Sequence, residues 1–303
     1  MRKIVVFILL GTLLYADNNS GTTCAEFLKL NTSARYSSLA GAGSGDVSPD
    51  ANSIWLNPAT VAPLIHREIS ISHTYYFQDI SYDWVALLYP VKNAGVFGIS
   101  ALGLYTTVQG MEDATTSKNF GVYNYCGMFT YSRHFSRHIL AGMSIKTIKM
   151  KIASVSSQGF PVCFDAGILL DKFIGSLSIG VSIHNAGGSR IKFVSEKNKL
   201  PQFLQAGVDY TIKPSIYHRI KILADVKFYN DDPVSGHFGF DYTYNDALSL
   251  RAGIKTDTIS DLNFNSGITF GAGIKVSSFY IDYAYLNFSD IGNSHQFSIT
   301  KKF

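Results

Sequence analysis

The stretch from His237 to Lys255 reads HFGFDYTYNDALSLRAGIK, and apolar residues alternate with other residues on both sides of Asn245-Asp246. In the first half the apolar positions are Phe238, Phe240, Tyr242 and Tyr244. In the second half they are Leu248, Leu250, Ala252 and Ile254. Successive side chains of a β-strand point to opposite faces, so this period of two predicts two strands joined by a tight turn.

The same pattern extends over most of the chain. From residue 67 onward, alternating segments are separated by clusters of Gly, Asn, Asp, Pro or Ser, and no helical period lies between them. The predicted strands span 67–77, 80–91, 94–107, 119–132, 137–152, 159–173, 176–186, 202–213, 216–230, 234–246, 247–256, 264–277, 278–288 and 294–303. This count of about 14 strands is even, as an up-and-down barrel requires.

A soluble β-sandwich would show the same alternation, so other features must separate it from a membrane barrel. The strands match the roughly 9–11 residues that a tilted strand needs to cross the hydrocarbon layer. Tight turns alternate with longer loops, and aromatic residues crowd strand ends, as at 75–77, Tyr82, Trp84 and Tyr89. A closed barrel also leaves no unpaired edge in lipid. We therefore predict an all-β fold, a transmembrane antiparallel β-barrel, with a soluble sandwich or barrel as the alternative.

The last strand supports an outer-membrane location. Phe297, Ile299, Lys301 and Phe303 share its outward face, and the alternation ends on an aromatic residue. Such a terminus resembles the signal that the barrel-assembly machinery recognises in outer-membrane proteins. On this face, Lys301 is expected to extend toward the interface. The predicted partners are therefore outer-membrane lipid and the barrel-assembly machinery of a Gram-negative-type bacterium.

The N-terminus has the features of an export signal. Arg2 and Lys3 precede an apolar run at 4–14, and residues 14–16 (Leu-Tyr-Ala) offer a cleavage site. A run of about 11 residues is too short to cross a bilayer, which favours a removable signal peptide over residues 1–16. A lipoprotein anchor on Cys24 is the alternative, although the preceding Gly-Thr-Thr lacks the expected leucine-led context.

The composition excludes several classes of function. The formal net charge is only +4, and its even spread along the chain argues against a nucleic-acid partner. The three cysteines, Cys24, Cys126 and Cys163, are too few for a disulfide framework. Cys126 and Cys163 fall in predicted strands, so we expect them to be small buried or lipid-facing side chains.

The sequence contains no pattern that indicates catalytic chemistry. The eight histidines are scattered, and neither Gly-x-Ser-x-Gly nor His-Glu-x-x-His occurs. His134 and His138 are spaced like metal ligands on a helix but fall at a predicted hairpin turn. We therefore expect a protein that is not an enzyme, without catalytic residues, metal or cofactor.

A barrel of this size needs something to fill its lumen. Eight strands enclose only side chains, whereas roughly 16–18 strands leave an aqueous channel. Residues 17–66 are the one segment without predicted strands, and they contain AEFLKLNTSAR at 25–35, SLAGAGSGD at 38–46 and DANSIWLNPA at 50–59. In these residues the chain resembles the FadL-like family of outer-membrane transporters (OMPP1/FadL/TodX), and within that family the PorV/PorQ branch.

The resemblance implies three parts: a signal peptide at 1–16, an N-terminal hatch inside the lumen at 17–66, and a transmembrane barrel at 67–303. It implies hatch or gating roles for Asn57, Pro58 and Ala59. From their charges, Arg35 and Asp46 are expected either to pair with lumen-facing residues and lock the hatch, or to be solvated in the periplasm. FadL-type barrels open sideways at a kink in the third strand, which here contains Gly95, Gly98 and Gly103.

Three functions remain open from the sequence. The resemblance favours outer-membrane transport or binding of a hydrophobic small molecule of the fatty-acid kind. A component of type IX protein secretion like PorV/PorQ, which binds exported proteins at the outer membrane, is the first alternative. A structural outer-membrane protein is the second.

Overall fold

Fourteen antiparallel strands form a closed barrel in the computed structural model, which describes residues 21–47, 50–111, 117–188, 190–256, 267–289 and 292–303. The strands are β1 (Glu68–Tyr75), β2 (Ser81–Val91), β3 (Gly95–Met111), β4 (Ser117–His134), β5 (Ile139–Ile152), β6 (Val162–Ile174), β7 (Leu177–Ala186), β8 (Phe203–Ile212), β9 (His218–Tyr229), β10 (Ser235–Tyr244), β11 (Leu248–Lys255), β12 (Ile268–Val276), β13 (Phe279–Asn287) and β14 (Asn293–Lys302). Three two-residue strands lie between them, at Val155–Ser156, Ile191–Lys192 and Lys197–Asn198.

Each strand pairs with its neighbours in the sequence, and the pairing of β1 with β14 closes the barrel. Glu68 lies opposite Lys302, and Tyr75 lies opposite His295. The predicted all-β fold and strand number are confirmed. The main difference is in β3 and β4, which are longer than predicted because their pairing continues to Met111 opposite Ser117.

The two ends of the barrel differ in their connections. At one end of the barrel, β1 begins with Glu68 and β14 ends with Lys302. We call this the terminal end, and the connections between strands there have two to five residues. At the opposite end, which we call the loop end, they have five to sixteen, and the longest spans 187–202. Short periplasmic turns and longer external loops are the usual arrangement in outer-membrane barrels, so the terminal end corresponds to the periplasmic side.

The apolar face of the strands points outward. On β10, Phe238 and Phe240 are about half exposed, whereas His237 and Asp241 on the same strand are buried. A soluble sandwich would instead bury the apolar face between two sheets. An outer surface of this kind suits a hydrocarbon environment, and the soluble alternative is excluded.

The inner face of the barrel is divided into two walls. The apolar wall is the inner face of β2–β5, and its buried residues include Tyr82, Trp84, Ala86, Leu88, Val96, Leu102, Cys126, Met128, Ile148 and Met150. The polar wall is the inner face of β8–β14, and its buried residues include Gln205, Asp209, Lys221, Asp225, Lys227, His237, Asp241, Arg251, Asp282, Gln296, Ser298 and Thr300. All three cysteines are free, and Cys126 and Cys163 are buried.

Before β1, the described residues 21–47 and 50–67 contain short helices. They are one α-helix, α1 (Ala34–Ser38), and three 3-10 helices, at Glu26–Lys29, Ser53–Trp55 and Pro58–Val61. In the part of the chain that the structure describes, no helix combines the length and apolarity needed to span a membrane. The predicted signal peptide at 1–16 lies outside the described residues.

Candidate functional site

The candidate site is the contact between the inner walls and residues 25–64, which we call the N-terminal segment. The described residues from 32 to 46 are almost all buried, although this stretch is rich in serine and glycine. Before the segment, the Cys24 amide donates to the Lys199 carbonyl at the loop end, at 3.0 Å. After it, β1 begins at the terminal end with Glu68. The segment therefore runs between the two ends of the barrel.

Three carboxylates and one lysine fix the segment at the loop end. The Nζ atom of Lys29 lies 2.7 Å from Glu26, 2.8 Å from Asp231 and 2.5 Å from Asp232. Burial alone lowers the pKa of Lys29, but hydrogen bonds to Asp231 and Asp232 outweigh it and raise that pKa above its ordinary value. The carboxylates are close enough to share a cation, and the ammonium group lies among them. These residues were not predicted, because they are about 200 positions apart in the chain.

The small-residue run of the segment packs against the polar wall. The amides of Gly43 and Ser44 donate to the two carboxylate oxygens of Asp225, at 3.2 and 2.9 Å. On β7, a Cβ atom added to Gly180 would overlap the Ser44 carbonyl group. Only glycine therefore allows the backbone of the segment to approach β7 this closely.

Arg35 and Asp46 belong to a buried ion-pair network. Arg35 Nη2 lies 2.7 Å from Asp46, and the other oxygen of Asp46 lies 2.5 Å from Lys221 Nζ on β9. Lys221 also contacts Asp209 on β8 at 2.6 Å. Arg35 lies 3.5 Å from Asp50 within the segment. The structure thus brings both predicted residues to the polar wall rather than to solvent.

Asn57, Pro58 and Ala59 lie against β5 and β6. The Asn57 side chain caps the following 3-10 helix by accepting from the Ala59 amide at 2.9 Å. Its Nδ2 group donates to the Ser44 carbonyl at 2.9 Å and to the Ile168 carbonyl on β6 at 3.3 Å. One amide group therefore joins two parts of the segment to the wall.

We predict that Asn57→Ala lowers the free energy of unfolding by about 1–2 kcal/mol, the typical cost of a lost cap with an unsatisfied buried carbonyl. Urea titration of the protein in lipid vesicles, followed by tryptophan fluorescence, measures this change. Asn119→Ala, at an exposed position of β4, is the control and is expected to change stability by less than about 0.5 kcal/mol. Equal stability of the two variants would contradict the anchoring role of Asn57.

The predicted kink residues lie in a strand whose pairing is regular. β3 pairs with β2 from Gly95 to Tyr105 and with β4 from Val96 to Met111 without a register shift. A Cβ on Gly98 would meet Leu88 of the apolar wall, whereas Gly103 faces Tyr125 on the outer surface. The described register shifts of the barrel lie between β6 and β7, from Phe164 onward. The role of the three glycines in a wall opening remains a prediction.

A buried charged cluster lies beside this irregular part of the wall. Lys146 Nζ lies 2.7 Å from Asp165 and 3.1 Å from the Asn185 side-chain oxygen. Asn185 has a positive φ of 55°, and its amide donates to Asp165 at 2.9 Å. Lys146 also lies 4.0 Å from the ring centroid of Trp55, which belongs to the N-terminal segment. The cluster therefore links β5, β6 and β7 to the segment.

The side chains of Ser182, His184 and Asp165 contact one another in the order of a Ser-His-Asp catalytic triad. The sequence, in which the histidines are scattered, did not predict this arrangement. Ser182 Oγ lies 2.9 Å from His184 Nε2, and His184 Nδ1 lies 3.3 Å from Asp165. However, Ser182 Oγ also donates to the Leu56 carbonyl at 2.8 Å. A nucleophile needs its hydroxyl hydrogen directed to the histidine. The contact with Leu56 instead joins the wall to the segment.

An apolar seam lies between the segment and the apolar wall. Its residues from the segment are Phe27, Leu28, Ile54, Trp55, Val61 and Leu64. Trp55 and Trp84, the only two tryptophans of the chain, contact each other edge to face at 5.5 Å between ring centroids. Tyr82 and Met150 at the loop end and Leu88 and Val96 at the terminal end belong to the same apolar cluster. The seam therefore extends along most of the barrel.

A cavity at the terminal end is lined mainly by charged groups, unlike the apolar seam. Its volume is about 420 Å³, and the charged residues include Arg35, Asp50, Asp241, Arg251, Asp282 and Lys302. Arg251 lies 2.6 Å from Asp282 and 3.2 Å from Asp241. An apolar molecule would lose contacts on leaving the seam for this cavity. The interior is thus apolar along one wall and strongly polar at its periplasmic end.

The closed sheet and the apolar outer surface define a 14-stranded outer-membrane β-barrel. The model of the family described as type IX secretion system membrane protein PorP/SprF matches residues 128–300, more than half of the chain. The chain therefore belongs to the PorP/SprF family. A second model, described as Uncharacterised protein family (UPF0164), matches residues 16–165. No curated protein sequence matches the chain.

Several solved structures share the fold of this chain. The CymD monoaromatic hydrocarbon channel has a TM-score of 0.63 at 10% identity, over 90% of this chain and 98% of that one. A Pseudomonas aeruginosa FadL homologue has a TM-score of 0.56 at 12% identity, with coverages of 90% and 98%. The Ralstonia pickettii toluene transporter TbuX has a TM-score of 0.56 at 11% identity, with coverages of 90% and 99%. At such identities the likeness concerns the fold alone.

Proposed function

We propose that the protein binds or passes a hydrophobic small molecule at the outer membrane, and that the N-terminal segment is the hatch that occludes its lumen. The observation that carries this proposal is the apolar seam between the segment and β2–β5. Binding sites for apolar molecules are lined mainly by hydrophobic and aromatic side chains. The seam has this composition along most of the barrel. The hydrocarbon channels that share the fold support the same function.

In this mechanism, movement of the hatch separates Trp55 and Ile54 from the apolar wall, and the molecule takes their place in the seam. The charged cavity at the terminal end disfavours release of an apolar molecule straight into the periplasm. Release through the wall is therefore favoured. The same proposal includes the hatch as residues 17–66. It also assigns the anchoring of the hatch to Arg35, Asp46 and residues 57–59.

The emission of Trp55 and Trp84 provides a direct test, because both indole rings lie in the seam. We predict saturable changes in tryptophan emission when toluene or a long-chain fatty acid is added to the purified protein in detergent. Leu102→Ala is expected to weaken this binding by roughly 10- to 100-fold, since burial of one leucine side chain contributes roughly 1.5–3 kcal/mol. Ser249→Ala on the polar wall is the control and should leave the affinity unchanged. An emission that does not respond to either class of molecule would contradict the proposal.

The family match favours a second candidate function, a component of type IX secretion that contacts exported proteins. The narrower PorV/PorQ assignment, taken from the N-terminal motifs, remains a prediction within this candidate. Mass spectrometry of the purified protein distinguishes the two functions. A retained fatty acid or hydrocarbon supports the transport proposal. Repeated absence of such a molecule, together with co-purified exported proteins that share a C-terminal domain, supports the secretion function.

A further inference from the structure

Six basic residues gather on one side of the loop end, although charge is spread evenly along the sequence. They lie in and beside two connections, 153–161 and 187–202. Together they form what we call the rim patch: Lys149, Lys151, Arg190, Lys192, Lys197 and Lys199. In the sequence from 149 to 161 and from 187 to 200, Glu196 is the only acidic residue. The patch therefore has a strong local positive charge that the overall net charge hides.

Backbone hydrogen bonds hold the two connections together. Lys151 pairs with Ser156 at the end of β5, and Lys192 pairs with Lys197 in the other connection. The Gln158 amide joins them by donating to the Lys192 carbonyl at 2.7 Å. The second connection is fixed further where the Cys24 amide donates to Lys199. The cations thus belong to one paired framework.

The charges of the patch are not neutralised within the described residues. No carboxylate there lies within ion-pair distance of Lys151, Lys192 or Lys197, whereas Lys146 and Lys221 each contact aspartates. Lys149 Nζ donates to the carbonyls of Ser157 and Gly159 only, at 2.5 and 3.3 Å. Like charges held together without partners are costly unless an anion compensates them.

The position of the patch identifies the kind of anion. Lys149 and Lys151 project from the outward face of β5, where they lie opposite Tyr125 and Tyr123 of β4. These tyrosines are 50% and 39% exposed, and an exterior aromatic belt marks the level of the lipid headgroups. Phe160, which is 69% exposed, lies beside Lys149. An acidic protein approaching from outside the cell would reach the loops but not the lysines on the barrel wall.

We propose that the rim patch binds the phosphate-bearing headgroup of an outer-leaflet lipid. The phosphates contact the lysines of the wall and of the two connections, and the acyl chains lie along the apolar outward face of β5. That face continues below Lys149 with Ile145 and Met143, which are about half exposed. The site goes beyond the proposed function, because it is on the outside of the barrel and does not involve the seam.

Native mass spectrometry of the full-length protein with added lipid tests this site. The probes are a lipid A with two phosphates, phosphatidylglycerol and phosphatidylcholine. The triple variant Lys151→Gln/Lys192→Gln/Lys197→Gln is expected to retain the phosphorylated lipids about 100-fold more weakly, at roughly five-fold for each cation removed. Retention by the unmodified protein should fall as sodium chloride is raised to about 1 M, which shortens the Debye length to about 3 Å.

The control replaces three exposed lysines at the terminal end, in the variant Lys92→Gln/Lys172→Gln/Lys213→Gln. It has the same net charge as the test variant and should retain lipid within about two-fold of the unmodified protein. Equal retention by both variants, or equal retention of phosphatidylcholine, would overturn the proposal. Displacement of the lipid by millimolar inorganic phosphate would assign the site to free phosphate instead. An acidic peptide that binds while lipid retention stays unchanged would assign it to a protein.

Discussion

Asp165→Ala is expected to destabilise the barrel by about 3–5 kcal/mol, the usual cost of removing one partner from a buried ion pair. The reason is that the buried ammonium group of Lys146 loses its carboxylate partner. Lys146 is 1% exposed, and its ammonium group would keep the Asn185 side-chain oxygen and the face of Trp55 but no carboxylate. The Asn185 amide would also lose its acceptor at the irregular part of the wall. Urea unfolding in lipid vesicles measures this loss, with tryptophan emission as the signal.

Two further variants separate the charge effect from a general loss of packing. Lys146→Met/Asp165→Leu removes both charges and is expected to recover most of the stability, because burying an ion pair costs much of what it contributes. Asp246→Ala removes an exposed partner of Arg219, at 2.6 Å, and should cost less than about 1 kcal/mol because solvent screens that pair. Equal losses for Asp165→Ala and Asp246→Ala would contradict the account.

Gly180→Ala is expected to displace the N-terminal segment from β7 while the barrel still forms. The added methyl group would overlap the carbonyl group of Ser44, which is backbone and cannot rotate away. Forcing a methyl group into a packed interior typically costs about 1–3 kcal/mol. If the segment is the hatch, its displacement opens the lumen, and the ion conductance of single barrels in a planar bilayer should rise several-fold.

Gly127→Ala on β4 is the matched control for this prediction. Its added Cβ would have the Thr147 side chain at 3.6 Å as its nearest neighbour, which is an ordinary contact. Both variants should show the heat-modifiable gel mobility of a folded barrel. A Gly180→Ala barrel that folds and retains the conductance of the unmodified protein would show that the segment does not close the lumen. A second variant, Gly142→Ala, tests the same idea at Pro58, whose carbonyl group an added Cβ would overlap.

The strands could be predicted because each depends on local alternation. The stretch 237–255 predicted β10 and β11 with their faces correctly separated, since the turn at Asn245-Asp246 sets the register of the hairpin. The predicted end of β3 came too early and the predicted start of β4 too late, because continued pairing between the two strands, not composition, decides where they turn.

The candidate site was predicted only in part. Motifs in 50–59 drew attention to Asn57, Pro58 and Ala59, and charge drew attention to Arg35 and Asp46. The wall residues that the segment contacts, among them Asp225 and Ile168, lie more than 100 positions away in the sequence. No local pattern indicates which strand of the barrel each residue of the segment contacts. The family branch was also narrower than the comparisons support, because the matching family is PorP/SprF.

The all-β class, the number of strands and their apolar outward face follow from local sequence patterns alone, because a period of two acts between neighbouring residues. The remaining features depend on how distant strands meet. Closure of β1 on β14 turns the apolar inner face of β2–β5 and the polar inner face of β8–β14 toward one lumen. Pairing of β6 with both β5 and β7 places Lys146, Asp165 and His184 together beside the segment. A hydrogen bond between two connections brings six basic residues to one rim. Each of these groups depends on contacts between separate strands or connections, which local sequence patterns do not encode.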